Sequence, residues 1–116
     1  SFYLFGAAGV GKSHLLHAVC TYADELGLSS QCIPLVELSP YSSEFLNGLE
    51  AIDVICIDDI NAVAGNSEWE RALFDLYNRL IENNKSIVLS GNESIDELGI
   101  LKILILNLQL ILSTPG

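Results

Sequence analysis

Gly6-Ala7-Ala8-Gly9-Val10-Gly11-Lys12-Ser13 is the stretch from which the rest of the chain can be read. The octet fits G-x-x-x-x-G-K-[ST], a loop that cradles phosphate. Phe2-Tyr3-Leu4-Phe5 ahead of it is short, apolar and aromatic, and predicts a buried strand. Behind it Leu15, Leu16, Ala18, Val19, Tyr22, Ala23 and Leu26 recur at helical spacing. That predicts a helix over 12–26, stopped by Gly27. Strand, loop and helix in this order are what the chemistry requires. Glycines let the backbone curl until successive N–H groups face phosphate oxygens, and the helix adds the positive end of its dipole. The expected phosphate-binding residues are Gly6, Ala7, Ala8, Gly9, Val10, Gly11, Lys12, Ser13 and His14. Lys12 would reach the β- and γ-phosphates as a point charge, and the Ser13 hydroxyl would be a Mg²⁺ ligand.

Residues 51–60, Ala-Ile-Asp-Val-Ile-Cys-Ile-Asp-Asp-Ile, form a second landmark. Apolar residues lead into Asp58 and Asp59 at the C-terminal end of a predicted strand, where ligands bind in open parallel sheets. Paired acids there follow the Walker B pattern. Asp58 would hold Mg²⁺ through water, and Asp59 would orient or activate an attacking water. Residues 86–90 predict a further strand, ended by Gly91-Asn92. In P-loop proteins with an extra strand between the two Walker strands, a polar residue here faces the γ-phosphate, so Asn92 is a candidate nucleotide sensor.

Between these landmarks, strands and helices alternate. Residues 31–38 predict a strand that Pro34 places at an edge, and Ser43 is expected to cap a short helix over 43–49. Ser67-Glu68-Trp69-Glu70 matches a capping box. The helix it opens should bury Trp69, Leu73, Leu76, Tyr77, Leu80 and Ile81, with Arg71 and Asp75 four apart on its other face. Arg71 and Arg79 read as solvated rather than catalytic. Ser94 opens a further capped turn, and the Leu/Ile run over 101–112 reads as a buried strand, too short to span a membrane. Such alternation implies a parallel sheet covered on both faces.

Composition narrows the functions. The chain has 116 residues, half of them hydrophobic, enough for one domain with a core. Fifteen acidic and 5 basic residues give a net charge of −10. No basic patch remains to track a phosphate backbone, so direct DNA binding by this segment is not expected. A nucleotide kinase would need a basic lid, for which there are too few arginines. Cys20, Cys32 and Cys56 lie far apart in apolar segments and read as reduced and buried, with no metal ligand cluster around them. His14 and His17 are three apart on the first helix, and no third ligand accompanies them. The chain opens on the loop's strand without a basic n-region or cleavage site, which reads as a cytoplasmic fragment of something longer.

With the loop, Asp58-Asp59 and Asn92 in place, the chain resembles the DnaA/Hda family of AAA+ ATPases, and the short Hda-type regulators most of all. Lys12-Ser13-His14-Leu15-Leu16-His17-Ala18, Cys56-Ile57-Asp58-Asp59-Ile60, Gly65 to Trp69 and Phe74-Asp75-Leu76-Tyr77-Asn78-Arg79-Leu80 carry the likeness. The resemblance implies a three-layer α/β P-loop NTPase with a parallel sheet in the strand order 5-1-4-3-2. It implies ATP or ADP with Mg²⁺ as cofactors, and a DnaA-like initiator and the sliding clamp as partners. The implied role is to promote hydrolysis of initiator-bound ATP. The ATPase domain of an initiator, or a helicase loader, is the alternative. The family's clamp-binding motif would precede Ser1, its arginine finger has no counterpart after Arg79, and its helical lid is missing. The expected organisation is thus a single truncated domain, family-like over 1–99, with an atypical apolar tail over 100–116. The change of character after Ile100 would suit truncation or a shifted reading frame.

Overall fold

Period-two alternation in two central strands sets the layers of this protein. The structure is a computed structural model and describes residues 2–5, 11–91, 101–106 and 110–113. Its strands are β1 (Phe2–Phe5), β2 (Ser30–Pro34), β3 (Val54–Asp58), β4 (Ser86–Gly91) and β5 (Leu110–Ser113). Its helices are α1 (Lys12–Glu25), α2 (Leu35–Leu38), α3 (Ser67–Glu82) and α4 (Leu101–Leu106), with 3₁₀ turns at Ser43–Leu46, Leu49–Ala51 and Ile60–Val63. Along β3 and β4, Ile55, Ile57, Ile87 and Leu89 enter one core with Trp69, Leu73, Leu76 and Leu80 of α3 and Leu101 and Leu104 of α4. Val54, Cys56 and Val88 enter a second core with Leu16 and Ala23 of α1. Successive side chains of a strand point to opposite faces, so one apolar run serves both layers.

The five strands lie in the order β2-β3-β4-β1-β5, and every pair is parallel. Counted from the other edge this is the expected 5-1-4-3-2. β4 separates β1 from β3, the strand carrying Asp58, and β2 with Pro34 is at an edge, both as expected. The three-layer α/β P-loop NTPase fold is therefore the architecture of this chain.

Several elements differ from the sequence reading. α1 ends at Glu25, and Gly27, at φ +78°, turns the chain away. Its buried seam is Leu16 and Ala23, with Val19 and Cys20 packed beside it, while Leu15, Tyr22 and Leu26 are exposed. Only one side of α1 meets the sheet, so half of its apolar residues remain outside. The strand expected over 31–38 stops at Pro34 and gives way to α2. Ser42, not Ser43, caps the following turn, its hydroxyl accepting from Glu44 N–H at 3.2 Å. Asn66, one residue before the expected capping box, caps α3 by accepting from Trp69 N–H at 3.3 Å. Glu70 reaches back to accept from Gly65 N–H at 2.9 Å. On α3, Tyr77 is half-buried and Ile81 exposed. Arg79 pairs with Glu50 at 3.3 Å and donates to the Leu46 carbonyl, tying α3 to the two neighbouring 3₁₀ turns.

The Leu/Ile run is not one strand. It divides into α4 and β5, which extends the sheet beyond β1. Leu101 and Leu104 are buried and Ile103 is exposed, a helical spacing that an unbroken apolar run conceals. Residues 92–100, with Asn92 and the Ser94 turn, lie outside the described residues.

Candidate functional site

Parallel strands bring all their C-terminal ends to one edge, and the candidate residues gather there. Phe5 is in register with Gly91, Pro34 with Asp58, and Ile57 with Leu89, so Ser90 stands beside Asp58 on the next strand. Asp58 shares the parity of Val54 and Cys56, and Ser90 that of Val88. Both therefore belong to the sheet face that α1 covers. The sequence supplies the α1 end of the site with equal economy. Gly11, at φ +88°, takes the left-handed conformation that starts the helix, and its carbonyl accepts the Leu15 N–H bond at 3.1 Å. Lys12 is the first residue of α1, with Ser13 and His14 following, both exposed.

Three side chains close the site. The Ser13 hydroxyl donates to Asp58 Oδ2 at 2.6 Å, joining positions 45 residues apart. The Ser90 hydroxyl donates to Asp58 Oδ1 at 2.5 Å, and the Ser90 hydroxyl oxygen in turn accepts from Asp59 N–H at 3.0 Å. Ser90 is fully buried, so these two bonds are what make its hydroxyl tolerable there. Asp59 is in the left-handed region at φ +57°, which Asp tolerates better than most side chains. That turn sends the chain from β3 into the 3₁₀ turn at Ile60. A cavity of about 390 Å³ beside these groups is lined by Ser13, Leu16, His17, Cys32, Pro34 and Asp58, among others.

Sequence reasoning found Ser13 and Asp58 and missed Ser90. A lone hydroxyl in an otherwise apolar strand was the available signal, but its partner depends on register. Gly6, Ala7, Ala8, Gly9, Val10 and Asn92 lie outside the described residues. The histidines stay on the outer surface of α1, His17 at the rim of the cavity.

The cysteines also converge, contrary to the scattered placement expected. Cys32 and Cys56 are register partners on β2 and β3, and Cys20 of α1 lies against both. Cys20 and Cys32 are half-buried, and only Cys56 is fully buried. Burial, then the contact with Cys20, pushes the Cys32 thiol up to about 12, and burial raises Cys56 as well. Both thiols therefore keep their protons at neutral pH and are poor nucleophiles.

A glycine-rich octet between β1 and α1, an acid at the tip of β3 and a strand inserted between β1 and β3 define the class, the α/β P-loop NTPase fold. The chain belongs to the bacterial DnaA ATPase domain family, whose family model matches residues 1–108. Its fold is similar to AMPPCP-bound DnaA from Aquifex aeolicus, with a TM-score of 0.80 and 22% identity, covering 97% of this chain and 39% of that one. Domain III of the Thermotoga maritima initiation protein DnaA superposes with a TM-score of 0.78 at 23% identity, covering 98% and 54% of the two chains. The structure of DnaI gives 0.75 at 21%, covering all of this chain and 70% of that one. At these identities the likeness establishes the fold. This chain spans about two fifths of the DnaA chain from Aquifex aeolicus, whose match covers 39% of that chain.

Proposed function

We propose that this domain binds an adenine nucleotide with Mg²⁺ at the edge where Ser13, Asp58 and Ser90 meet. We propose further that it acts, as Hda-type regulators do, by promoting hydrolysis of ATP held by a DnaA-like initiator. The nucleotide half rests on one observation, the 2.6 Å bond from Ser13 to Asp58 at the start of α1. It brings a hydroxyl and a carboxylate oxygen together, hard donors that suit a small divalent cation. When bound, Mg²⁺ would neutralise phosphate charge. Ser13 and Asp58 would hold it, and Ser90 would keep the Asp58 carboxylate aimed. Lys12 and the backbone of 6–11 would hold the phosphates. Asp59 and Asn92 would stand near the γ-phosphate and position water. The solved AMPPCP complex of a DnaA with this fold supports an adenine nucleotide as the ligand.

The regulator half rests on the sequence phrases at 65–69 and 74–80 that resemble Hda-type proteins. In this reading the protein works in the cytoplasm, its partners are the initiator and the sliding clamp, and its own ATP hydrolysis is weak or regulatory. Among the described residues no helix is long and apolar enough to cross a membrane. The alternative is the ATPase domain of an initiator or a helicase loader, favoured by the family match itself.

Lys12→Ala tests the nucleotide reading by calorimetry with Mg-ADP and Mg-ATP. Loss of most of the affinity is the expected result, and unchanged binding would refute the loop assignment. The regulator reading is tested separately, by following initiator-bound ATP in the presence of clamp and DNA. Faster hydrolysis on adding this protein is expected. No acceleration, together with intrinsic turnover, would favour the alternative.

A further inference from the structure

The thiols of Cys20, Cys32 and Cys56 lie outside the nucleotide chemistry yet sit directly behind it. Their sulfurs all fall within 4.8 Å of one another. The Cys20 and Cys32 sulfurs are 2.9 Å apart, and Cys20 donates to Cys56 at 3.6 Å. Three thiolates around one cation, with metal–sulfur bonds of ~2.3 Å, need sulfur–sulfur separations of roughly 4 Å. The Cys20–Cys32 and Cys20–Cys56 separations, 2.9 and 3.6 Å, are shorter than that, so the thiols open by about 1 Å or less to admit the ion. The cluster is also reachable, because Cys32 lines the cavity that opens beside Ser13 and Asp58.

We propose that Cys20, Cys32 and Cys56 form a three-thiolate site for one soft, thiophilic cation of the Cu(I) or Zn(II) class. The donor set selects it, since clustered thiolates favour such ions over Mg²⁺ or Ca²⁺. Each sulfur releases its proton as the cation takes its place. Cys20 is on α1, Cys32 on β2 and Cys56 on β3, so the ion fastens the helix that begins at Lys12 to the two strands beneath it. Cys56 is two residues from Asp58 on the same face of β3. The metal site is thus a clamp behind the candidate nucleotide site, built from different donors and independent of any nucleotide.

Cd(II) is the probe, added anaerobically to the reduced full chain. The expected result is a sulfur-to-cadmium charge-transfer band that saturates at one ion per chain and survives a large excess of Mg²⁺. Cadmium should also raise the melting temperature and shield the half-exposed Cys20 thiol from a maleimide. Cys20→Ser, half-exposed and on the helix, tests the site with the least risk to folding, and Cys56→Ala tests the buried ligand. Each should lose at least tenfold in cadmium affinity. A band that persists at full strength in Cys20→Ser would overturn the proposal. So would two chains per ion, or unchanged maleimide labelling of the wild type on adding cadmium, a readout that needs no variant. A reduced, anaerobic preparation that retains only one free thiol, with Cys20 joined to Cys32 as a disulfide, would overturn it too.

Discussion

Ser90 and Asp53 show how differently two polar residues near the same strand can act. Ser90 is buried and bonded to both Asp58 and the Asp59 N–H. Ser90→Ala removes both of those bonds from a buried position, at a cost of about 1–3 kcal/mol, which urea denaturation can measure. Because Ser90 orients a candidate metal ligand, Mg²⁺-dependent nucleotide affinity should also fall roughly tenfold or more. Affinity measured with the nucleotide alone should change less. Asp53 stands at the opposite end of β3. It accepts from Lys85 at 2.9 Å, from Ser29 N–H at 2.9 Å and from the Ser29 hydroxyl at 3.1 Å. Lys85 first, then Ser29, holds its carboxyl below the usual 3.8. A depressed carboxyl stabilises the fold above the unfolded pKa and ceases to do so as pH falls through the folded value. Asp53→Asn should therefore melt lower than wild type by an amount that is constant from pH 5 to 8 and shrinks below about pH 4. A difference that grows on acidification would contradict this assignment.

At the scale of elements, α4 and β5 are the informative pair. β5 is in register with all of β1, from Phe2 with Leu110 to Phe5 with Ser113. That pairing satisfies backbone groups that β1 would otherwise expose along a sheet edge. α4 contributes Leu101 and Leu104 to the larger core beside α3. Leu104→Ala should cost about 2–5 kcal/mol, as large-to-small core changes do. Ile103→Ala, 57% exposed in the same helix, should stay within roughly 0.5 kcal/mol of wild type. Equal effects from the two variants would mean that this segment does not dock as described. A strand expected here became a helix and a strand because nearly every residue is apolar, and a uniform run has neither period. The caps at Ser42 and Asn66 also fall one residue early, since the residue that caps depends on where the chain leaves the preceding turn.

Charge acts on the whole molecule. A net charge of −10 repels polyanions at long range, while in the proposed reading the octet at 6–13 and the start of α1 would attract them only at contact. The association rate of Mg-nucleotide should consequently rise as salt is increased from low to physiological strength, and stopped-flow kinetics can follow it. A rate that falls with salt would place an unrecognised basic surface around the site. The two cores flank one sheet, so the candidate site lies on the rim of a well-packed framework, with α1 and β3 each anchored below it.

The octet at 6–13, the acid at the end of an apolar strand and the alternation of strand and helix could be read from sequence because each is local. Spacing along the chain expresses them, and the family resemblance supplied the strand order that the structure bears out. Which residues touch could not be read in this way. Ser13, Asp58 and Ser90 meet, and three cysteines converge, only because β2, β3 and β4 pair in one register beneath α1. A shift of one residue in any of those strands would turn these side chains to the other face of the sheet. Register is decided by the packing of both cores at once, and no single stretch of the chain contains that information.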